Sequence, residues 1–252
     1  MSGLAGRVAL VTGGSRGVGR AIARRLAADG AAVAVNYRRD DAAARETVAA
    51  IEADGGKAAA YQAAIGDDQA VAAMTEAIRA GLGEVDIVVS NAGIASRGRT
   101  VADTEPDEYL RLLTVHALGP LTLIRSLLPA MRTRSRADIV MVSSAITGHT
   151  PPNSAPYTMA KAAMEAAART LAREERSNGI RVNIVAPGPT WTALQVSKGI
   201  PEEEIAGYGS DTPLGRAAQP AELAPAYVFF SSPESSFVVG ATLAVNGGTP
   251  TP

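Results

Sequence analysis

Val8-Ala9-Leu10-Val11-Thr12-Gly13-Gly14-Ser15-Arg16-Gly17-Val18-Gly19 opens on four apolar residues, breaks at two glycines and hands over to helix-forming residues from Arg20 to Leu26. A buried strand, a tight turn and a helix start follow from that order. The glycines sit where the backbone must turn sharply and approach a pyrophosphate, with the helix N-terminus facing the phosphates. A glycine-rich turn that merely joins strand to helix would use similar letters. The strand before it and the helix after it favour a dinucleotide site, with Gly13, Ser15, Arg16, Gly17, Val18 and Gly19 as its contacts.

The same rhythm recurs along the chain. Short β-branched runs at Val8–Val11, Ala32–Asn36, Ala58–Ala63, Ile87–Ser90, Ile139–Ser143, Arg181–Ala186 and Thr242–Val245 alternate with longer Ala/Arg/Glu-rich stretches. Apolar residues on both faces of these strands predict helices on both sides of a parallel sheet. The expectation is one α/β domain over residues 1–252, doubly wound, with about seven strands. Asp67-Asp68 and Thr104-Glu105-Pro106 read as helix starts, and Asn178-Gly179 as a helix end. The irregular stretch 187–220, rich in Pro and Gly, reads as a substrate loop or lid with a short helix at 201–206.

Composition narrows the function. Lys plus Arg is 24 and Asp plus Glu is 25, a formal charge of −1, so no basic field points to nucleic acid or to an anionic membrane. With no cysteine and two histidines, thiolate chemistry and Cys-ligated zinc are excluded and no metal is expected. No unbroken apolar run reaches the length of a membrane span, and the short apolar start breaks at Gly13-Gly14. A cytoplasmic protein is expected.

Tyr157-Thr158-Met159-Ala160-Lys161 places a phenol and an ammonium four residues apart, on one face of a helix. A surface helix could carry such a pair by accident, but only three lysines stand among the 24 basic residues. A free phenol titrates near pH ~10, and a neighbouring cation favours its ionised form. Lys161 is the candidate cation.

The spacing of Thr12-Gly13…Gly17…Gly19, Asn91-Ala92-Gly93, Ser144, Tyr157…Lys161, Pro187-Gly188 and Gly240…Gly247-Gly248 resembles the short-chain dehydrogenase/reductase superfamily over nearly the whole chain, closest to the branch of 3-oxoacyl-carrier-protein reductases and ketoreductases. The resemblance implies a seven-stranded Rossmann-like fold, a nicotinamide cofactor and a homotetramer or homodimer. In the mechanism it implies, Tyr157 gives its proton to a carbonyl oxygen, Ser144 hydrogen-bonds that oxygen, and Lys161 binds the nicotinamide ribose and lowers the phenol pKa. Ser143 is the neighbouring alternative, but the spacing to Tyr157 selects Ser144. Asn91, Ala92, Gly93, Pro187, Gly188, Thr190 and Thr192 fall in segments that meet the cofactor in the family.

Two positions depart from the family pattern. His116 stands where the family carries Asn, and reads as a proton relay, a structural histidine or a mark of altered chemistry. Ala64-Ile65 lacks the Asp that relatives use to meet adenine. The second strand ends Val35-Asn36-Tyr37-Arg38-Arg39 with no acid at its tip, placing Tyr37 and Arg38 at the ribose. Arg16 and Arg38 resemble the basic pair of NADP(H)-preferring relatives.

The expected reaction is NADPH-dependent reduction of a ketone: a 3-oxoacyl thioester, a polyketide-like compound or a small carbonyl, free or carried on a carrier protein. The alternatives are a secondary-alcohol dehydrogenase running the same chemistry oxidatively, and a non-catalytic NADP(H)-binding sensor. Arg132, Arg134, Arg136 and Arg173 are candidates for a carrier-docking patch, and His149 and Trp191 for the pocket wall. Ala160–Leu171 and Val238–Val245 are the segments expected to meet other copies of the chain.

Overall fold

The β-branched runs form β1 (Val8–Val11), β2 (Ala32–Tyr37), β3 (Lys57–Gln62), β4 (Ile87–Ser90), β5 (Ala137–Val142), β6 (Ile180–Pro187) and β7 (Thr242–Val245). They pair in parallel in the order β3-β2-β1-β4-β5-β6-β7. The computed structural model describes residues 3–192 and 207–250, so the expected helix at 201–206 lies outside the described residues. The order reverses between β1 and β4, and in such sheets the crevice beyond the strand ends at that point takes the ligand.

Alternation along each strand splits the interior in two. Val8, Leu10, Val88, Ile139, Met141, Val182 and Ile184 face one side, where α3 (Asp68–Gly81), α5 (Gly119–Met131) and α7 (Ala155–Glu175) pack. Ala9, Val11, Val33, Val35, Ile87, Val89, Val140 and Val185 face the other, against α1 (Gly17–Ala28), α2 (Asp41–Ala53) and α8 (Pro220–Ser231). Burial on both faces is why the strands read as unbroken apolar runs.

Caps set where helices begin. Asp67 accepts from the backbone N–H groups of Gln69 and Ala70 at the start of α3, and Pro106 occupies the first turn of α4 (Pro106–Leu113). The single-turn helix α6 (Ile146–His149) precedes α7, and after α7 a short 3₁₀ turn ends at Gly179, whose φ of 72° is left-handed; a Cβ there would be penalised. Between α4 and α5 the chain widens into one π turn, Thr114–Leu118, without breaking the helical run. By length and composition alone the run Pro106–Met131 could cross a membrane. Here its Leu112, Leu123, Ile124, Leu127 and Met131 are buried, the last four in the core beneath the sheet.

Strand bounds move by one or two residues from expectation in β2, β3, β5 and β6, most of all at the start of β5. β5 starts at Ala137 and ends at Val142, leaving Ser143 beyond the strand, and it includes the buried Asp138. That carboxylate is met by Arg7 at 2.6 Å, Arg136 at 3.0 Å and Arg181 at 2.5 Å, while Arg7 also holds Asp86 at 2.6 Å. A paired charge can be buried inside a strand; an unpaired one cannot.

Candidate active site

The glycine loop is shaped by contacts that exclude side chains. A Cβ on Gly19 would lie 2.2 Å from the Gly13 carbonyl oxygen and 2.6 Å from the Asn91 amide nitrogen. Gly13 (φ 63°) and Gly17 (φ 52°) are left-handed. Thr12 Oγ1 accepts from the N–H of Asn91 and of Ala92, both at 2.9 Å, and Asn91 Nδ2 donates to the Thr12 carbonyl at 2.9 Å. Asn91 and Ala92 thus brace the loop from β4. The buried Asn36 braces it from β2, accepting from the Gly13 N–H at 3.2 Å and donating to Ala63 O at 3.1 Å. Sequence reading missed Asn36, although a single amide in the apolar run Ala32–Tyr37 was a visible signal. The N-terminus of α1 has neither a side-chain cap nor an acid in its first turn. Its free N–H groups and partial positive charge suit a diphosphate.

At the far end of this loop, Arg16 and Arg38 are both exposed. Arg16 is paired with Asp40 at 2.6 Å. The Tyr37 hydroxyl donates to Asp41 at 2.7 Å, which ties it to the start of α2. Ile65 is buried beneath Gly119, where a Cβ would meet its carbonyl oxygen at 2.7 Å. Ala64 and Ile65 therefore offer an apolar and backbone surface where an acid was absent from the sequence.

The chain just beyond β5 and the first two turns of α7 bring Ser144, Tyr157 and Lys161 together. Tyr157 shares a hydrogen bond with Ser144, and burial, only partly offset by that bond, pushes the phenol up to about 12. Lys161 is 4% exposed. Its ammonium lies 5.7 Å from the centre of the Tyr157 ring and donates to the Val142 carbonyl at 2.6 Å. Burial lowers it to about 8, with Glu165 acting the other way. The phenol was expected to be lowered by Lys161; here desolvation wins, and Tyr157 holds its proton at neutral pH.

His116 sits in the π turn, 3% exposed, with its ring 5.1 Å from that of Tyr157. Its Nε2 faces Ile94, 2.9 Å from the carbonyl oxygen and 3.2 Å from the nitrogen. Nδ1 is buried without a partner among the described residues. Burial first, and the Lys161 charge second, lower the imidazole to about 3. Gly93 makes room for it, since a Cβ at 93 would lie 2.7 Å from His116 Cε1. A neutral ring of this kind packs and orients; it does not gain and lose a proton near neutrality.

The opposite wall comes from the chain after β6. Gly188 passes so close to Asn246 that a Cβ would lie 2.6 Å from its Cα. Thr190 Oγ1 donates to Gly188 O at 3.0 Å, and Thr190 bridges to Ala218. Thr192 stands over Gly17, 3.4 Å from where its Cβ would be, so the segment that begins at Pro187 reaches the glycine loop at Thr192. Trp191 and Tyr208 form a tilted ring pair at 6.3 Å, and Tyr208 lies close enough to Tyr157 to raise its pKa. His149 is exposed. Of the proposed docking arginines, Arg132 binds Glu175, Arg134 lies 3.6 Å from Asp86, and Arg136 binds Asp138.

A parallel doubly wound sheet with a glycine loop at the switch point, and a Ser, Tyr and Lys beside it, defines a nucleotide-dependent oxidoreductase. Residues 13–250 match the family described as "Enoyl-(Acyl carrier protein) reductase". An uncharacterized oxidoreductase of Methylorubrum extorquens is 38% identical, with 98% of this chain and 99% of that protein covered. The 3beta-hydroxysteroid dehydrogenase 1 of Eggerthella lenta is 36% identical over 97% of this chain and 94% of that one. Among solved structures, the angucycline C-6 ketoreductase LanV with bound NADP superposes with a TM-score of 0.90 at 34% identity, covering 98% of this chain and 97% of the other. The chain belongs to the short-chain dehydrogenase/reductase superfamily and is an oxidoreductase of that type.

Proposed function

We propose that the chain is an NADPH-dependent reductase of a free ring ketone of polyketide-like character. The observation that carries this is the Tyr157 phenol, hydrogen-bonded to Ser144, kept protonated by burial and set beside Lys161. Reduction needs a proton donor at the carbonyl oxygen, and the Tyr157 phenol, held beside Ser144 and Lys161, is placed to be that donor; the reverse oxidation would use the same group as its phenolate. The uncapped α1 N-terminus, Gly13, Gly17 and Gly19 would hold the diphosphate, Lys161 the nicotinamide ribose, and Arg16 with Arg38 a 2′-phosphate. When bound, the cofactor supplies the hydride. Tyr157 delivers its proton to the carbonyl oxygen, Ser144 orients that oxygen, and the Lys161 charge favours the phenolate left behind. His116, neutral and edge-on, fixes the Tyr157 ring.

Arg132, Arg134 and Arg136 are each partly neutralised by a carboxylate while Arg173 is exposed, so an acidic carrier protein would meet a reduced basic patch, which favours a free substrate. The Trp191 and Tyr208 rings favour a flat one. The angucycline C-6 ketoreductase LanV, solved with bound NADP, is a structural neighbour and supports a polyketide-like ketone and NADP(H). We further propose a homotetramer acting in the cytoplasm, built through the exposed Phe237, Val239 and Leu243 near the sheet edge.

Loss of NADPH absorbance with a panel of ring diketones, steroid ketones and 3-oxoacyl thioesters tests the reading, run beside Tyr157→Phe. Turnover with ring ketones that drops by about 10²-fold or more in the variant supports it. NADPH binding without turnover of any panel member by the native chain overturns it in favour of a sensor.

A further inference from the structure

Behind the reacting pair, α7 carries a second charged group. Tyr157, Lys161, Glu165 and Arg169 follow at four-residue steps and so share one helix face. Glu165 is only 8% exposed, a costly place for a carboxylate unless its oxygens are met. They are met by the turn after β5. The Ser143 and Thr147 hydroxyls both donate to Oε1, the latter at 3.0 Å, while Arg169 stands 3.3 Å from Oε2. The Thr147 hydroxyl also reaches the Ser144 carbonyl oxygen at 3.0 Å. One carboxylate oxygen therefore holds both sides of Ser144.

We infer that Glu165 is a positioning residue of the site: it clamps the turn from Ser143 to Thr147 that presents Ser144, and it sets a negative charge one helical turn behind Lys161. The inference rests on the proposed reductase reading for its catalytic meaning, but its geometry does not. Lys161 is faced by Tyr157 and Glu165 from its own helix, by His116 from the π turn with Arg111 beyond it, and by the Val142 carbonyl from β5. Among these groups Glu165 alone is anionic when Tyr157 is protonated. Arg169 is 46% exposed, and solvent weakens its hold on the Glu165 charge. The influence of Glu165 on Lys161 is toward the charged form, against burial.

Glu165→Gln keeps an oxygen for Ser143 and Thr147 and removes the charge. The combination Ser143→Ala with Thr147→Val keeps the charge and removes the clamp. In the full chain labelled at lysine with ¹³C and ¹⁵N, three lysines give three side-chain signals, and Lys161→Arg assigns the relevant one. In Glu165→Gln the Lys161 midpoint should move to lower pH by about half a unit or more, and the alkaline limb of ketone reduction should move with it. In the clamp variant kcat should fall at least about fivefold with the cofactor KM little changed and the Lys161 midpoint in place. An unmoved midpoint in Glu165→Gln, or native kcat in the clamp variant, overturns the corresponding half of the inference whatever happens to thermal stability. A moved midpoint in a chain that reduces no ketone would sink the reductase reading and leave the coupling standing.

Discussion

The imidazole of His116 meets the ring of Tyr157 edge to face, with planes at 83° and centroids 5.1 Å apart. Edge-on packing of this kind is a preferred arrangement of aromatic rings and helps to position the phenol. Because the imidazole is buried and lowered to about 3, the contact is between neutral groups throughout the working range.

That contact makes stability depend on acid. Between pH 6.5 and about 3 the unfolded chain binds a proton at His116 that the folded chain does not, so stability rises with pH across this window and falls as pH drops. At pH 5 the loss amounts to about 2 kcal/mol. His116→Asn should keep activity within about tenfold, cost about 1 kcal/mol at pH 7 from the space opened beside Gly93, and show a flatter decline from pH 7 to pH 5. Urea unfolding at the two pH values reads the difference.

Lys161 gives a dependence of the same sign in an alkaline window. Its folded value of about 8 lies below the unfolded 10.5, so its burial costs stability at every pH below 8, and the cost is relieved as pH rises to 10.5. The full cost is about 3 kcal/mol. Lys161→Met should abolish turnover while stabilising the fold by about 1–3 kcal/mol at pH 7. The advantage should shrink at pH 10; an advantage that stays constant with pH would contradict the assigned burial cost.

Gly19 in the glycine loop and Gly55 in the turn after α2 are two kinds of glycine. At Gly19 a Cβ has nowhere to go, since the Gly13 carbonyl lies at 2.2 Å. Gly19→Ala should lose about 3 kcal/mol or more and fail to bind NADPH. Gly55 is left-handed with nothing within 4 Å, so Gly55→Ala should cost only about 1–2 kcal/mol and leave cofactor affinity unchanged. Thermal melts with fluorescence titration of NADPH distinguish the two.

Cofactor choice should lie with Arg16 and Arg38. The Arg16→Ala, Arg38→Ala double variant should raise the KM for NADPH by about tenfold or more and leave that for NADH almost unchanged. Asp40 holds Arg16 at 2.6 Å in an exposed pair, so Asp40→Asn should shift selectivity further toward NADPH. Equal losses with both cofactors would place the arginines elsewhere than at a 2′-phosphate.

Sequence pattern was informative where burial and backbone geometry set the residue. The seven strands were visible because both faces of the sheet are covered, and the glycine loop because a backbone at van der Waals distance admits one residue type. Ser144, Tyr157 and Lys161 were readable from spacing along one helix and the strand end before it. What escaped were charges and amides whose partners are remote in sequence. Asp138 looked too polar for a strand until Arg7 and Arg181 met it. Asn36 looked like the tail of β2, and its bond to Gly13 spans 23 residues. Glu165 lies on an Ala-rich helix, with nothing local in sequence to announce its bond to Ser143. The π turn around His116 carries no periodic signal at all.

The ion lattice below the sheet also bears on how the chain is made. Arg7, near its beginning, donates to the carbonyl of Ser231, and Arg181 to those of Phe230 and Ser235. A protein emerging from the ribosome exposes its first strands long before those carbonyls exist. Until residues 230–235 arrive, the rim under β1, β5 and β6 lacks part of the shell that its arginines need for burial. The nascent chain should therefore remain open to proteases along this rim until translation has passed Ser235, and the rim closes in one late step.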